Sequence, residues 1–122
     1  MHLMAGRRVG NEIVCEVSGT QVRLPFPAPY RPRVADGEPV TIGLRPEHVR
    51  LTSAGDAPGL PCTVEMVEVS VSDVAHIVHL RHRDHTFCAK VALSQPVRPR
   101  ESVWLHFPPQ HLYYFDRVDK RL

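Results

Sequence analysis

This chain repeats itself at an offset of 63 residues, and no other property of the sequence limits its fold as tightly. Glu38, Val40, Ile42, Leu44, Pro46, Glu47, His48 and Val49 recur as Glu101, Val103, Leu105, Phe107, Pro109, Gln110, His111 and Leu112. The same offset lays Val14 on Ile77, Cys15 on Val78, Val17 on Leu80 and Leu24 on Phe87. Each half therefore reads as hairpin, spacer, strand, Pro-acid/amide-His turn and strand. Alternating aliphatic segments resemble one another everywhere, but proline and histidine recurring at one place in both halves do not follow from alternation.

The local patterns are those of short strands. Ile13, Cys15 and Val17 alternate with Glu12, Val14 and Glu16, then a tight turn at Ser18, Gly19 and Thr20 leads to Val22 and Leu24, which is a hairpin signature. Four prolines (Pro25, Pro27, Pro29, Pro32) make residues 25–37 an extended loop. Val40, Ile42 and Leu44 line one face of a strand, Pro46 starts one turn of 3₁₀ helix, and Val49 and Leu51 continue as a second short strand. Residues 53–61 read as a Gly/Pro loop. The inward parity changes between Met66 and Val67, which calls for a β-bulge there, because a one-residue slip reverses every side chain. Residues 77–80 and 86–91 flank 81–84 as a second hairpin, Val103, Leu105 and Phe107 form a further strand, and residues 112–115 close the body. No window carries helical periodicity over three turns.

A few strands cannot bury two faces alone, whereas two similar units packed together can. The expected fold class is all-β: an oligonucleotide-fold-like β-barrel built from two related β units, about 12–51 and 75–115, in a single domain over 1–122. Twelve prolines in 122 residues agree with many short elements.

Composition narrows the function. Fifteen basic and thirteen acidic side chains leave a net charge of +2, spread evenly along the chain, so no basic face indicates nucleic acid as a partner. Cys15, Cys62 and Cys88 are odd in number, widely spaced and without a C-x-x-C pattern, which points to neither a disulfide framework nor zinc and suits a reducing cytoplasm. No apolar run approaches the roughly 20 residues of a membrane helix. His76, His79, His82 and His85 recur every third residue, but on a strand of period two that spacing alternates faces, so one metal site using all four is not expected. Only His82 and His85 could meet, across a hairpin turn. Tyr113, Tyr114 and Phe115, with Trp104, read as core and barrel-closing side chains rather than a base-stacking platform.

Gly43-Leu44-Arg45-Pro46-Glu47-His48-Val49, preceded by Gly37-Glu38-Pro39-Val40, resembles the signature of the C-terminal regulatory (TOBE, oligonucleotide-fold-like) domain of carbohydrate-type ABC importer ATP-binding subunits. The start, Met1 to Gly6, is similar to the segment by which those proteins leave their ATPase domain. Val67-Glu68 resembles the stretch that begins the second half, and His111-Leu112-Tyr113-Tyr114-Phe115-Asp116 resembles the closing strand. The chain departs from the family at Ser70-Val71, where a Leu-Gly pair is usual. The resemblance implies a domain that helps two ATP-binding subunits form a homodimer and in some members receives inhibitory signals.

On that footing the chain is expected to be a non-catalytic regulatory and dimerisation domain of a bacterial ABC importer, for a sugar or glycerol phosphate, with the ATPase domain absent from it. No G-x-x-x-x-G-K-[ST] loop occurs, so ATP and magnesium would belong to that absent domain, and no cofactor or metal is expected here. The expected partners are a second ATP-binding subunit, inner-membrane permease subunits reached through the ATPase domain, and a regulatory protein. The expected place is the cytoplasm, peripheral at the inner face of the membrane. Arg45, Pro46, Glu47 and His48 are expected to form a structural or interface turn rather than an acid/base pair, and Phe115 and Asp116 a closing segment; no residue is expected to be catalytic. The alternative is a small-ligand or oxyanion (molybdate-like) binding module.

Overall fold

The computed structural model describes residues 1–53, 55 and 59–122. Ten strands follow one another: β1 (His2–Val9), β2 (Glu12–Val17), β3 (Thr20–Pro25), β4 (Pro39–Leu44), β5 (Arg50–Thr52), β6 (Gly59–Ser70), β7 (Ala75–His82), β8 (His85–Ala92), β9 (Ser102–His106) and β10 (Tyr113–Phe115). Short 3₁₀ segments at Ala28–Arg33, Pro46–His48 and Pro109–His111 are the only helical elements among the described residues.

The strands form two five-stranded antiparallel sheets, in the orders β10-β4-β1-β2-β3 and β5-β9-β6-β7-β8. Each sheet takes four strands from one half of the chain and its last strand from the other. β5 lies on β9 with Arg50 opposite His106, Leu51 opposite Leu105 and Thr52 opposite Trp104. β10 lies on β4 with Tyr113 opposite Gly43, Tyr114 opposite Ile42 and Phe115 opposite Thr41. Every one of these partners is the 63-residue mate of its counterpart, so the exchange is reciprocal and in identical register. The two halves are interlocked by it.

From β4 onward the burial pattern follows the same offset, whereas in the hairpins the expected offset needs correction to 65: Val17 pairs with Thr20 beside one turn and His82 with His85 beside the other, so that Cys15 is equivalent to Leu80 and Leu24 to Ala89, and the 63-residue pairs there agree only in parity. Cys15 and Val78, Val17 and Leu80, Leu24 and Phe87, Val40 and Val103, Ile42 and Leu105, Leu44 and Phe107, Val49 and Leu112, and Leu51 and Tyr114 are all buried, in one continuous apolar cluster. A fully buried side chain of this size stabilises by about 1.5–3 kcal/mol relative to exposure. The ten residues from Val40–Val103 to Leu51–Tyr114, related by the one repeat, thus supply a large part of the core. Across the two edges of the first sheet, the Tyr114 hydroxyl donates to the Pro25 carbonyl at 3.0 Å, where a ladder would have closed the barrel. The body is of oligonucleotide-fold type, with its barrels left open.

Several local expectations need correction. β1 is not among the expected strands, since Gly6, Arg7 and Arg8 break its alternation; it nevertheless runs between β2 and β4. Gly6 is required there, because a Cβ would come within 2.7 Å of the Cys15 sulfur and 2.9 Å of the Val14 carbonyl oxygen. The proline-rich stretch is not wholly irregular: Arg31 Nε donates to the Phe26 carbonyl at 2.8 Å, and Arg8 Nη1 donates to the carbonyls of Arg31 and Val34, which fixes the Ala28–Arg33 turn. The register shift of β6 falls between Val64 and Met66, slightly earlier than the change of parity indicates. Of the loop expected at 53–61, residues 54 and 56–58 lie outside the described residues, and Gly59 to Pro61 already belong to β6. The break expected at 81–84 shrinks to a two-residue turn, with Arg83 at φ 52°.

Candidate interface turn and closing segment

Pro46 supplies the fixed φ of a first helical position, so Arg45-Pro46-Glu47-His48 closes on itself, the His48 amide donating to the Arg45 carbonyl at 2.9 Å. Pro108-Pro109-Gln110-His111 does the same, the His111 amide donating to the Pro108 carbonyl at 3.0 Å. The two turns lead into the exchanged strands and meet: the rings of His48 and His111 stack with centroids 4.1 Å apart and planes 15° apart. A residue that touches its own repeat mate lies at the axis relating the halves. The Arg45–His48 turn thus lies on that axis, packed against β8, with none of its residues fully buried.

The two charged side chains of the turn point outward. Arg45 places its guanidinium 5.4 Å from the Tyr113 ring centroid. The Glu47 carboxyl is held below its ordinary value, first by a hydrogen bond from its own backbone, which outweighs the opposing effect of burial, and then by electrostatic interaction with Lys90 and other neighbours in the turn. Arg45 and Glu47 are both on the outside of the turn and flank the stacked histidines.

The closing segment converges on the same place. Phe115 pairs with Thr41 and forms an isolated bridge to Arg121. Asp116 Oδ1 accepts from the amides of Val118 and Lys120 at 3.0 and 2.9 Å, folding the last residues back. Arg121 is thereby delivered to the Tyr113 ring, with its guanidinium 4.5 Å from the centroid. Tyr113 joins the interface turn to the closing segment, a role its sequence pattern, which places it simply in the core, does not reveal. Trp104 lies in the other sheet, on β9, away from the strand that holds Tyr113, Tyr114 and Phe115.

The four regularly spaced histidines do not converge. His82 is buried, its Nδ1 2.7 Å from the Pro61 carbonyl oxygen and its Nε2 2.7 Å from Thr20 Oγ1. Because a carbonyl can only accept, Nδ1 carries a proton and donates to it; in the neutral ring Nε2 then accepts from the Thr20 hydroxyl. His82 therefore pins the first half to the second, with both nitrogens engaged. His85 is opposite it but turns its ring toward Phe87, and His79 meets Glu68 at 3.0 Å. Among the described residues, no group of three or more His, Cys, Asp or Glu side chains is placed to hold a metal ion. None of the described helical turns is long and apolar enough to cross a membrane.

The chain is 33% identical over 93 residues to the sn-glycerol-3-phosphate import ATP-binding protein UgpC of Salmonella typhimurium, covering 76% of this chain and 25% of that protein. It is 29% identical over 116 residues to UgpC of Escherichia coli O1:K1, covering 95% of this chain and 31% of that protein. The chain spans a quarter to a third of the length of these curated relatives. Its fold is similar to that of the cytoplasmic molybdate-binding protein ModG in a molybdate-bound crystal structure, with a TM-score of 0.67 and 15% identity over 93% of this chain and 94% of that one. The MalK OB fold domain matches residues 1–49, and the TOBE domain matches residues 42–115. The latter match holds more than half of the chain, both copies of the Pro-x-His turn and the exchanged strands, and the chain belongs to the TOBE domain family.

Proposed function

We propose that the chain is the non-catalytic regulatory and dimerisation part of the ATP-binding subunit of an ABC importer for a sugar or for sn-glycerol 3-phosphate. The observation that carries this is the likeness to UgpC over 95% of the chain, together with membership of the TOBE family. ATP hydrolysis, with its magnesium, belongs on this reading to an ATPase portion of the parent protein. That portion would engage the membrane permease subunits from the cytoplasmic side. Arg45, Pro46, Glu47 and His48 shape the surface that another subunit meets, and Phe115 and Asp116 brace it through Tyr113.

Two measurements on the chain test the reading. Sedimentation velocity over a concentration series is expected to show reversible self-association. Calorimetry with molybdate, sulfate and sn-glycerol 3-phosphate is expected to show no stoichiometric binding in the micromolar range. Tight molybdate or sulfate binding to a monomer would replace this function with that of an oxyanion-binding module.

A further inference from the structure

We infer that the outer face of the second sheet carries a binding site for a neutral sugar, walled by Trp104 and rimmed by the hydroxyls of Ser53, Thr63 and Ser102. The site is separate from the turn and closing segment assigned above to a second subunit, and does not depend on that assignment. β9 buries Val103 and Leu105, so Ser102, Trp104 and His106 face outward. β6 beside it buries Leu60, Cys62 and Val64 and turns Pro61 and Thr63 outward. The register sets Trp104 against Pro61 and Ser102 against Thr63, with Thr52 of β5 on the other side of the indole.

These residues line a half-open pocket of about 210 Å³. Sites for drug-sized ligands run to roughly 300–1,000 Å³, so this one suits a ligand of about one sugar ring. No charged side chain lines it. The hydroxyls of Ser53, Thr63 and Ser102 have no hydrogen-bond partner among the described residues, whereas the neighbouring Thr52 Oγ1 lies 2.7 Å from His106 Nε2. Gly55 rests against the indole, where a Cβ would come within 2.7 Å of the ring, and so helps to fix its plane.

The corresponding place on the first sheet has a different chemistry. β1 lies on β4 as β6 lies on β9: Ala5 opposite Thr41 takes the place of Pro61 opposite Trp104, and Arg7 opposite Pro39 that of Thr63 opposite Ser102. A pocket exists there too, but Arg7, Arg23 and Glu16 line it. The first sheet thus offers charge where the second offers an aromatic ring and hydroxyls. Arg81, opposite Thr63 on β7, is engaged by Glu65 at 3.0 Å and brings no uncommitted charge to the second pocket.

A neutral sugar fits this set. Its C–H groups form an apolar face that an indole can cover, and Trp104 is only half-buried by the chain itself, so a ligand seated on it removes apolar surface from water. The hydroxyl rim of a sugar both donates and accepts, as do the Ser and Thr hydroxyls that would meet it. A phosphate ester does not fit, because its charge would lose water without gaining a cation.

Trp104 is the only tryptophan of the chain, so its fluorescence and its indole N–H resonance report on this pocket. Titration of the chain with glucose, galactose and maltose is expected to give a saturable change in these signals for at least one of them, with a Kd of about 1–10 mM. Thr63→Val and Ser102→Ala, both at exposed strand positions, should each weaken that binding by about two- to tenfold and leave the thermal transition in place. sn-Glycerol 3-phosphate should give no saturable change. The site is overturned if none of the three sugars saturates either signal by about 0.1 M. It is equally overturned if both hydroxyl variants bind as the natural chain does, or if sn-glycerol 3-phosphate binds as tightly as the sugars.

Discussion

His48 and His111, 63 positions apart in the chain, stack face to face at 4.1 Å. Each ring leads into a strand that has crossed to the other half's sheet, so the contact fastens the exchange where the two crossings meet. Ring pairs of this kind contribute about 0.5–1.5 kcal/mol beyond their buried area. His48→Ala and His111→Ala should each destabilise by about that much in urea unfolding, and the double variant should cost clearly less than the sum. Strict additivity would show that the stack holds nothing together.

Arg45 is the outer end of the same turn and lies over Tyr113. A cation over an exposed ring is worth about 0.5–1 kcal/mol, so Arg45→Ala should lower stability by that order. The informative comparison is in a Tyr113→Leu background, where removing Arg45 should cost nothing further. If Arg45→Ala changes neither the melting temperature nor the association constant, the turn has no structural or interface role through this residue.

How much of this was legible follows from what each residue depends on. The buried pairs from Val40–Val103 to Val49–Leu112 could be read from the repeat, because alternation fixes a side chain's face wherever one face is buried; in the hairpins alternation gave the face but not the offset. The Pro46 and Pro109 turns could be read because a proline sets φ without help from the rest of the fold. The strand exchange could not. β5 and β10 are three residues each, too short for their own pattern to choose between β4 and β9 as a neighbour. β1 was hidden by Gly6, whose missing side chain reports a close approach to Cys15 rather than a strand. Tyr113 was hidden because its partners, Arg45 and Arg121, come from remote segments. The four histidines were legible as separate on parity alone, but that His82 would bond Thr20 and Pro61 required the two sheets to be placed together.

Val74 stands at the tip of the β6–β7 hairpin with φ 50° and 68% exposure. A β-branched residue is strained in the left-handed region by about 1–2 kcal/mol, and here little burial compensates. Val74→Gly should therefore stabilise the chain by about 0.5–1.5 kcal/mol, despite the added freedom of glycine in the unfolded state. Chemical unfolding of the two chains decides it, and a destabilised variant would mean that Val74 is held by contacts its exposure conceals.

Cys15 and Cys62 carry the clearest pH signature. Burial disfavours their thiolates and pushes the thiols from the ordinary 9.0 up to about 11 and about 12 respectively. The unfolded chain then releases these protons at lower pH than the folded one does. Stability is fully present below pH 9 and falls as the pH rises through 9 toward 11 and 12, because thiolate formation is available mainly to the unfolded state. The loss should reach the order of a few kcal/mol by pH 11, at about 1.4 kcal/mol per thiol for each pH unit climbed between its unfolded and folded values. Tyr114, pushed up to about 12 first by burial and then by Tyr30, bends stability the same way only above pH 10. Guanidinium unfolding at pH 8 and pH 10.5 should therefore show a marked drop for the natural chain. Cys15→Ala combined with Cys62→Ala should be less stable at pH 8, from the lost packing of two buried sulfurs, yet lose much less on going to pH 10.5. Equal losses in the two chains would mean that the thiols do not control the alkaline limb.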